Sequence, residues 1–164
     1  MKRICTIGVY GADLDGFLAA LRAAGVDLLL DVRQRRGVRG HEYAWANAKR
    51  LEAELAAAGI GYSHLAELAP TTSMREAQYE ADAERGEGKR SRTVLSPVYV
   101  ERYTAEILEP ADLEPLVRFI GRSTGALMCV ERDAAACHRS LLAARLAREY
   151  GFKVENLKGD RAAA

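Results

Sequence analysis

The sequence of 164 residues contains little cysteine, no long apolar run and almost no net charge. Three scattered cysteines cannot form a disulfide framework, and this sparse usage is typical of a reducing cytoplasm. No apolar stretch is long enough to cross a bilayer, and the N-terminal run is too short for a signal peptide, so we expect a cytoplasmic protein without a membrane partner. A formal net charge of +1 excludes a general attraction to nucleic acid, so any such contact requires a local basic patch.

The sequence also lacks the motifs of several common enzyme classes. Neither G-x-x-x-x-G-K nor G-x-G-x-x-G occurs, which argues against an ordinary nucleotide-triphosphate or dinucleotide enzyme. A cysteine phosphatase loop requires arginine six positions after its cysteine, but Ala135 and Ala143 occupy those positions after Cys129 and Cys137. This absence excludes the phosphatase loop from both cysteines.

Metal-binding spacing is missing as well. His64, Cys129, Cys137 and His138 are residue types that bind metals, yet no C-x-x-C or H-x-x-x-H pair is present. We therefore do not favour a metal site, and the cofactor stays unknown.

Hydrophobic residues make up 49% of the chain. Along the sequence, short continuous apolar runs alternate with segments in which the apolar residues recur at helical spacing. The pattern predicts strands over residues 4–9, 27–32, 60–65, 126–131 and 152–157. It predicts helices after Asp13 and over 47–58, 74–85, 97–108 and 112–122, and a last helix that begins near Cys137. This alternation indicates one α/β domain over residues 1–158, a three-layer sandwich with a mainly parallel sheet flanked by helices, and a flexible tail over 159–164.

In parallel sheets, ligands bind beyond the carboxyl ends of the strands. Many polar residues of this chain follow predicted strands, and all three histidines, counting His41, fall on that edge. The candidates at the edge are Tyr10, Asp31, Arg33, His64, Glu131, Cys137, His138 and Arg139. We expect them to surround one site.

Asp31 and Arg33 lie two residues apart and therefore share one face of a strand. They can form a structural pair in which Arg33 braces the following loop. Alternatively, Asp31 acts as an acid, a base or a ligand orienter, and Arg33 binds a phosphate or carboxylate through two N–H groups. The sequence leaves both alternatives open.

The segment 33–40, RQRRGVRG, has four arginines and is predicted to be a loop outside the core. Arg35, Arg36 and Arg39 precede Tyr43 and Trp45, and cations beside aromatic rings are typical of nucleic-acid contacts. The alternative is a solvated surface loop. A second basic segment, 86–92, is predicted to be a mobile loop.

Acid–base chemistry is predicted from Glu131 together with His64 or His138. Cys137 is a candidate nucleophile because a helix N-terminus lowers the pKa of a thiol. Arg139 at the same helix N-terminus is a candidate phosphate ligand. Cys129 lies inside an apolar run and is predicted to belong to the core.

Four fragments carry a resemblance to a known family: TIG (6–8), LLLDVR (28–33), AGIGYSHLAEL (58–68) and LMCVERDAAACHRSLLA (127–143). The chain resembles the "domain of unknown function 488" (DUF488) proteins. The resemblance implies a compact α/β domain of bacterial or archaeal origin, with a link to nucleic-acid processing but no assigned reaction. It also implies a polar pocket at the matching positions Asp31, Arg33, His64, Cys129, Glu131, Cys137, His138 and Arg139. The loop after DVR is more basic than the family pattern, and residues 69–72 replace its glycine-rich stretch, which leaves substrate specificity open.

The combined interpretation is an enzyme that hydrolyses a phosphate-bearing substrate, either a nucleic acid or a phosphorylated small molecule such as a nucleotide. Phosphate would be held by Arg33, by Arg139 and by Arg35, Arg36 and Arg39, which we call the arginine loop. Two alternatives stay open: a nucleic-acid-binding module without catalysis, and a thiol-dependent or redox protein that uses Cys137.

Overall fold

Five short strands form the centre of the molecule in this computed structural model, which describes residues 2–162. They are β1 (Arg3–Ile7), β2 (Leu28–Asp31), β3 (Gly61–His64), β4 (Gly125–Met128) and β5 (Lys153–Asn156). All neighbouring strands pair in parallel, in the order β3-β2-β4-β1-β5. Every residue of β2 and β4 is buried, as expected for strands covered on both faces of a parallel sheet.

Six α-helices surround the sheet. They are α1 (Leu14–Ala23), α2 (Ala48–Ala57), α3 (Thr72–Glu84), α4 (Pro97–Tyr103), α5 (Glu114–Ile120) and α6 (Arg139–Tyr150). Helix α6 packs against β1, β4 and β5, whereas α2 packs against β3. The α/β class with a parallel sheet flanked by helices is therefore confirmed.

Local capping explains where two of the helices begin. The Asp13 carboxylate accepts a hydrogen bond from the Gly16 amide at 2.8 Å, as its predicted N-cap position requires. Helix α3 begins two residues before the predicted Met74, because the Thr71 hydroxyl accepts from the Met74 amide at 3.2 Å. None of the helices within residues 2–162 has the length and apolar character needed to cross a membrane.

Most elements differ from their predicted bounds by one or more residues, and two of these differences have a clear structural basis. The strand predicted over 126–131 ends at Met128, because the chain then turns and the Val130 carbonyl accepts hydrogen bonds from the Val9 and Tyr10 amides at 3.1 and 2.9 Å. These bonds tie the loops after β1 and β4 together. The helix predicted over 97–108 starts as α4 and continues as a π-helix over Thr104–Leu108.

The C-terminal segment 159–164 was predicted to be flexible. Its described part, residues 159–162, packs against α1. Gly159 is buried, and an added Cβ there would lie 2.9 Å from the Cβ of Ala12. The Ala162 amide donates to the Asp13 carboxylate at 3.1 Å. Residues 163–164 of the predicted tail lie outside the described residues.

Candidate active site

A cavity of about 730 Å³ lies at the carboxyl edge of the sheet. The loops after β1, β2 and β4 form one side of it, and α3 with the segment 88–92 forms the other. Its wall includes Tyr10, Arg33, Tyr79, Arg92, Tyr99, Cys129, Glu131 and His138. The carboxyl edge of the sheet, where the sequence predicts the site, thus carries this cavity.

The rim of the cavity is strongly basic. Arg35 and Arg39 from the arginine loop and Lys89 from the second basic segment line it. None of these three cations forms an ion pair with another residue in the part of the chain that the structure describes. Positive charge that lacks an internal partner favours an anionic ligand.

Tyr10 contributes both a ring and a hydroxyl to the same wall. The guanidinium group of Arg90 lies over its ring at 5.3 Å from the centroid, a cation–π distance. Burial and the nearby charge of Glu131 raise the pKa of Tyr10 to about 12. The hydroxyl therefore stays protonated at neutral pH and can donate a hydrogen bond.

The floor of the cavity carries a buried carboxylate, Glu131, which is 8% exposed. Its Oε1 accepts from Arg92 Nη1 at 3.0 Å, whereas its Oε2 has no hydrogen-bond partner among residues 2–162. Burial, reinforced by the neighbouring Cys129, raises the pKa of Glu131 above its ordinary value, although the charge of Arg92 opposes this shift. An unsatisfied buried oxygen is costly and marks a position where a ligand or water can bind.

Arg92 holds Glu131 in place through a buried network. Its guanidinium group also binds Asp82 of α3, with an Nη2–Oδ2 distance of 2.8 Å, and Asp82 accepts from Gln78 at 2.8 Å. Arg92 is only 7% exposed, so the prediction of a wholly mobile loop over 86–92 is wrong at its last residue. Two carboxylates bind this one arginine and fix it in the cavity wall.

A cluster of two thiols and one imidazole lies beside Glu131. The ligand atoms of Cys129, Cys137 and His138 are all within 4.8 Å of one another, and all three residues are buried. A hydrogen bond with Cys137 and burial raise the pKa of Cys129 to about 12. Cys129 also lines the cavity, so it is not only the core residue that its apolar run predicted.

The orientation of the His138 ring is fixed by the backbone. Its Nε2 lies 2.8 Å from the Val32 carbonyl oxygen, and because a carbonyl only accepts, Nε2 carries the proton. Nδ1 faces the Cys137 sulfur at 3.6 Å and is the unprotonated nitrogen when the ring is neutral. Although burial opposes the shift, the neighbouring Cys129 raises the pKa of His138 above its ordinary value. The imidazole presents a lone pair to the thiols.

Arg139 lies at the start of α6, as predicted, but its guanidinium group is fully buried and points at the backbone. It donates to the carbonyls of Glu131 at 2.6 Å and Arg132 at 3.1 Å. This placement does not support the predicted role as a phosphate ligand, because its Nη1 and Nη2 atoms already bind backbone carbonyls. It positions the loop that carries Glu131.

Asp31 and Arg33 form the structural pair that the sequence left as one of two alternatives. Arg33 Nη2 lies 2.9 Å from Asp31 Oδ2, and Arg33 Nη1 donates to the Ala46 carbonyl at 2.8 Å. Arg33 is 2% exposed, so the prediction that the whole segment 33–40 lies outside the core is wrong at this residue. His64 lies beside the pair, where its Nε2 donates to the Arg33 carbonyl at 2.8 Å, and it does not line the cavity.

Three residues predicted to lie at this edge, two of them as ligand contacts, do not line the cavity. Arg36 binds Glu52 at 3.1 Å and does not line the cavity. Trp45 is 5% exposed and packs on Phe17, with ring centroids 5.0 Å apart, so its face is not free to stack on a base. His41 is exposed at the start of a short 3-10 helix, and it does not line the cavity that His138 lines.

Sequence reasoning missed the wall provided by α3. The buried residues of this helix are Met74, Gln78 and Asp82, which follow one another at intervals of four. Polar residues that continue an apolar stripe along one face of a helix indicate a buried polar network. The four-residue spacing was therefore the sequence signal that could have identified this wall.

Gly8 of the TIG fragment lets the loop after β1 approach the loop that carries Glu131. A Cβ at this position would lie 2.0 Å from the Glu131 carbonyl oxygen. We expect Gly8→Ala to lower the free energy of unfolding by about 1–3 kcal/mol, because the backbone around Glu131 must move. Urea denaturation measures the loss. Gly88→Ala is the control, since nothing lies within 4 Å of its added Cβ, and equal stability of the two variants would contradict the expectation.

Comparison with known proteins gives a family but no activity. The profile of the family described as "Domain of unknown function DUF488" matches residues 13–146, which confirms the resemblance seen in the sequence fragments. No curated protein and no solved structure matches the chain.

Proposed function

The chain belongs to the DUF488 family, whose description assigns no reaction, and we propose that it is an enzyme that hydrolyses a phosphate-bearing substrate of the nucleotide or nucleic-acid class. The observation that carries the proposal is the unpartnered Oε2 of Glu131 on the floor of a cavity with a basic rim. A buried carboxylate oxygen without a partner suits proton transfer to or from a bound water or leaving group.

Substrate binding is assigned to the rim. The cavity volume of about 730 Å³ falls in the range of small-molecule sites, and a nucleotide fits this size class. Arg35, Arg39 and Lys89 would bind phosphate oxygens through charge-assisted hydrogen bonds. The rings of Tyr10 and Tyr79 line opposite sides of the cavity, and each ring has an arginine guanidinium group near its face.

Proton transfer is assigned to Glu131. Arg92 holds Oε1, whereas Oε2 is buried and has no partner among the described residues. We assign to this carboxylate the acceptance of a proton from a water that attacks a phosphodiester or glycosidic bond in the cavity that Glu131 lines. His64 takes no part in this arrangement, because its Nε2 is bound to the Arg33 carbonyl outside the cavity. Asp31 is likewise fully occupied by Arg33 and Tyr62.

A panel of nucleotides and of single- and double-stranded DNA and RNA oligonucleotides tests binding by fluorescence anisotropy and cleavage by chromatography. We expect Arg35→Ala/Arg39→Ala to weaken binding by about 10–100-fold, because each lost phosphate contact involves a charged donor. Arg118→Ala/Arg122→Ala is the matched control, since these exposed arginines lie in and after α5, outside the cavity. Equal losses in the two double variants would contradict binding at the rim.

Glu131→Gln separates catalysis from binding. We expect it to bind the same oligonucleotide or nucleotide with little change but to reduce turnover by about 100-fold or more, because the amide cannot accept the proton. Unchanged turnover in a folded Glu131→Gln protein would contradict the proposal. Salt-sensitive binding without any cleavage would favour the non-catalytic nucleic-acid module instead.

A further inference from the structure

We propose that Cys129, Cys137 and His138 bind a zinc ion whose fourth coordination position opens into the cavity. The ligand atoms of these residues are within 4.8 Å of one another, although Cys129 comes from the loop after β4 and the other two from the start of α6. Two thiolates and one imidazole are the donor set that zinc prefers, and Cys₂His with one open position is a catalytic type of zinc site.

One distance within the cluster matches tetrahedral coordination. With Zn–S and Zn–N bonds of about 2.3 and 2.05 Å, the sulfur and nitrogen ligands of one zinc ion lie about 3.6 Å apart. The Cys137 Sγ and His138 Nδ1 atoms are 3.6 Å apart. A thiol–imidazole hydrogen bond can have the same length, so this distance alone does not distinguish a zinc site from a hydrogen bond.

The second observation is the backbone contact of His138. A zinc-binding histidine commonly donates its other ring N–H to a carbonyl or carboxylate, which fixes the tautomer and aims the bare nitrogen at the metal. His138 donates through Nε2 to the Val32 carbonyl at 2.8 Å, and this bond leaves Nδ1 directed at the two sulfurs. The edge of the Tyr103 ring packs on the imidazole at a centroid distance of 5.2 Å and limits its rotation.

The third observation is the position of Glu131. Cys129, His138 and Glu131 line the cavity, whereas Cys137 is 1% exposed behind them. The side of the cluster formed by Cys129 and His138 therefore faces the ligand space, which Glu131 also lines. A water on the fourth position would be activated by zinc and would have a carboxylate acceptor nearby.

Zinc binding to this cluster requires no oxidation or reduction. Each thiol loses one proton to solvent as its sulfur bonds to Zn²⁺, and the imidazole binds in its neutral form. The zinc site itself stands without the proposed function, whereas the activation of water for hydrolysis rests on that function. Zinc would supply the nucleophile, and the basic rim would hold the phosphate.

Metal analysis and cobalt substitution test the site in the full chain under reducing conditions. Protein produced with added zinc should contain one zinc per chain by mass spectrometry of the metals. After chelation, added Co²⁺ should give the intense sulfur-to-cobalt charge-transfer absorption and the ligand-field bands of a four-coordinate ion. We expect Cys129→Ser and Cys137→Ser each to weaken metal affinity by more than about 100-fold, which exceeds the usual cost of losing a group that only hydrogen-bonds to a metal ligand.

Cys5→Ser is the matched control, because Cys5 is a fully buried cysteine of β1 that does not belong to the cluster. This control should keep the metal and the cobalt spectrum. Folded wild-type protein with only substoichiometric metal, or with bound cobalt but no sulfur charge transfer, would overturn the proposal. A Cys129–Cys137 disulfide that forms as fast with saturating zinc as without it would overturn it in favour of thiol redox chemistry. Glu131→Gln turnover reports on the proposed function separately, so the two failures are distinguishable.

Discussion

Arg92→Met is expected to lower the free energy of unfolding by about 3–5 kcal/mol, because it leaves two buried carboxylates without their shared cation. Arg92 Nη1 lies 3.0 Å from Glu131, and Arg92 Nη2 lies 2.8 Å from Asp82. The two carboxylates are 8% and 2% exposed, so the loss of Arg92 leaves two poorly solvated charges. Equilibrium unfolding in urea, followed by circular dichroism, measures the loss.

Arg85→Met is the control for Arg92→Met. Arg85 also pairs with a carboxylate, Glu87, but at 3.5 Å and with 56% of its side chain exposed, so its loss should change stability by no more than about 0.5 kcal/mol. The double variant Arg92→Met/Asp82→Asn should lose less than the sum of its single variants by about 0.5–3 kcal/mol, because the charges interact directly. Strict additivity would show that Arg92 stabilises the wall by packing alone.

The arrangement around Arg92 shows why part of the site could not be predicted from the sequence. Local composition marks 86–92 as a basic loop, and this description suits Lys89 and Arg90, which line the rim. Nothing local distinguishes Arg92 from its neighbours, since its burial depends on Asp82 of α3 and on Glu131 after β4. Contacts between distant segments decide which cation is buried.

The cluster of Cys129, Cys137 and His138 is a second feature that could not be predicted from local sequence. Metal-site rules based on spacing search for ligand pairs within one segment, and Cys129 and Cys137 are too far apart in sequence for such a rule. The fold closes this separation, because the loop after β4 returns to the edge of the sheet before α6 begins. The edge itself was predictable, since continuous apolar runs such as LLLD and GALM identify covered parallel strands.

Residue types alone do not distinguish the arginines that bind other parts of the protein from those that could bind a ligand. Arg33, Arg36 and Arg139 were grouped with Arg35 and Arg39 because all follow strand ends. The structure separates them by the acceptors near each guanidinium group: a buried carboxylate for Arg33, Glu52 for Arg36 and loop carbonyls for Arg139. Arg35 and Arg39 form no such ion pair within the described chain, and they face the cavity.

Arg33→Met is the second variant with a large expected effect, a loss of about 3–5 kcal/mol in the free energy of unfolding. Asp31 is fully buried, and it would keep only the Tyr62 hydroxyl at 2.6 Å and the amide of residue 33 at 3.1 Å as hydrogen-bond donors. The Ala46 carbonyl would also lose its donor from Arg33 Nη1. Urea denaturation measures this loss, and Arg35→Met, an exposed substitution two residues away, is the control that should stay near wild type.

Arg33→Lys distinguishes charge from geometry at the same position. Lysine keeps the positive charge but cannot bind Asp31 through a planar fork and reach the Ala46 carbonyl at the same time, so we expect a clear loss that is smaller than that of Arg33→Met. If Arg33 were chiefly a phosphate ligand, Arg33→Met would retain wild-type stability and lose affinity for nucleotides or oligonucleotides. A stability loss in Arg33→Met, with substrate affinity still controlled by Arg35 and Arg39, would establish that the buried pair supports the loop and that the exposed arginines beyond it bind the anion.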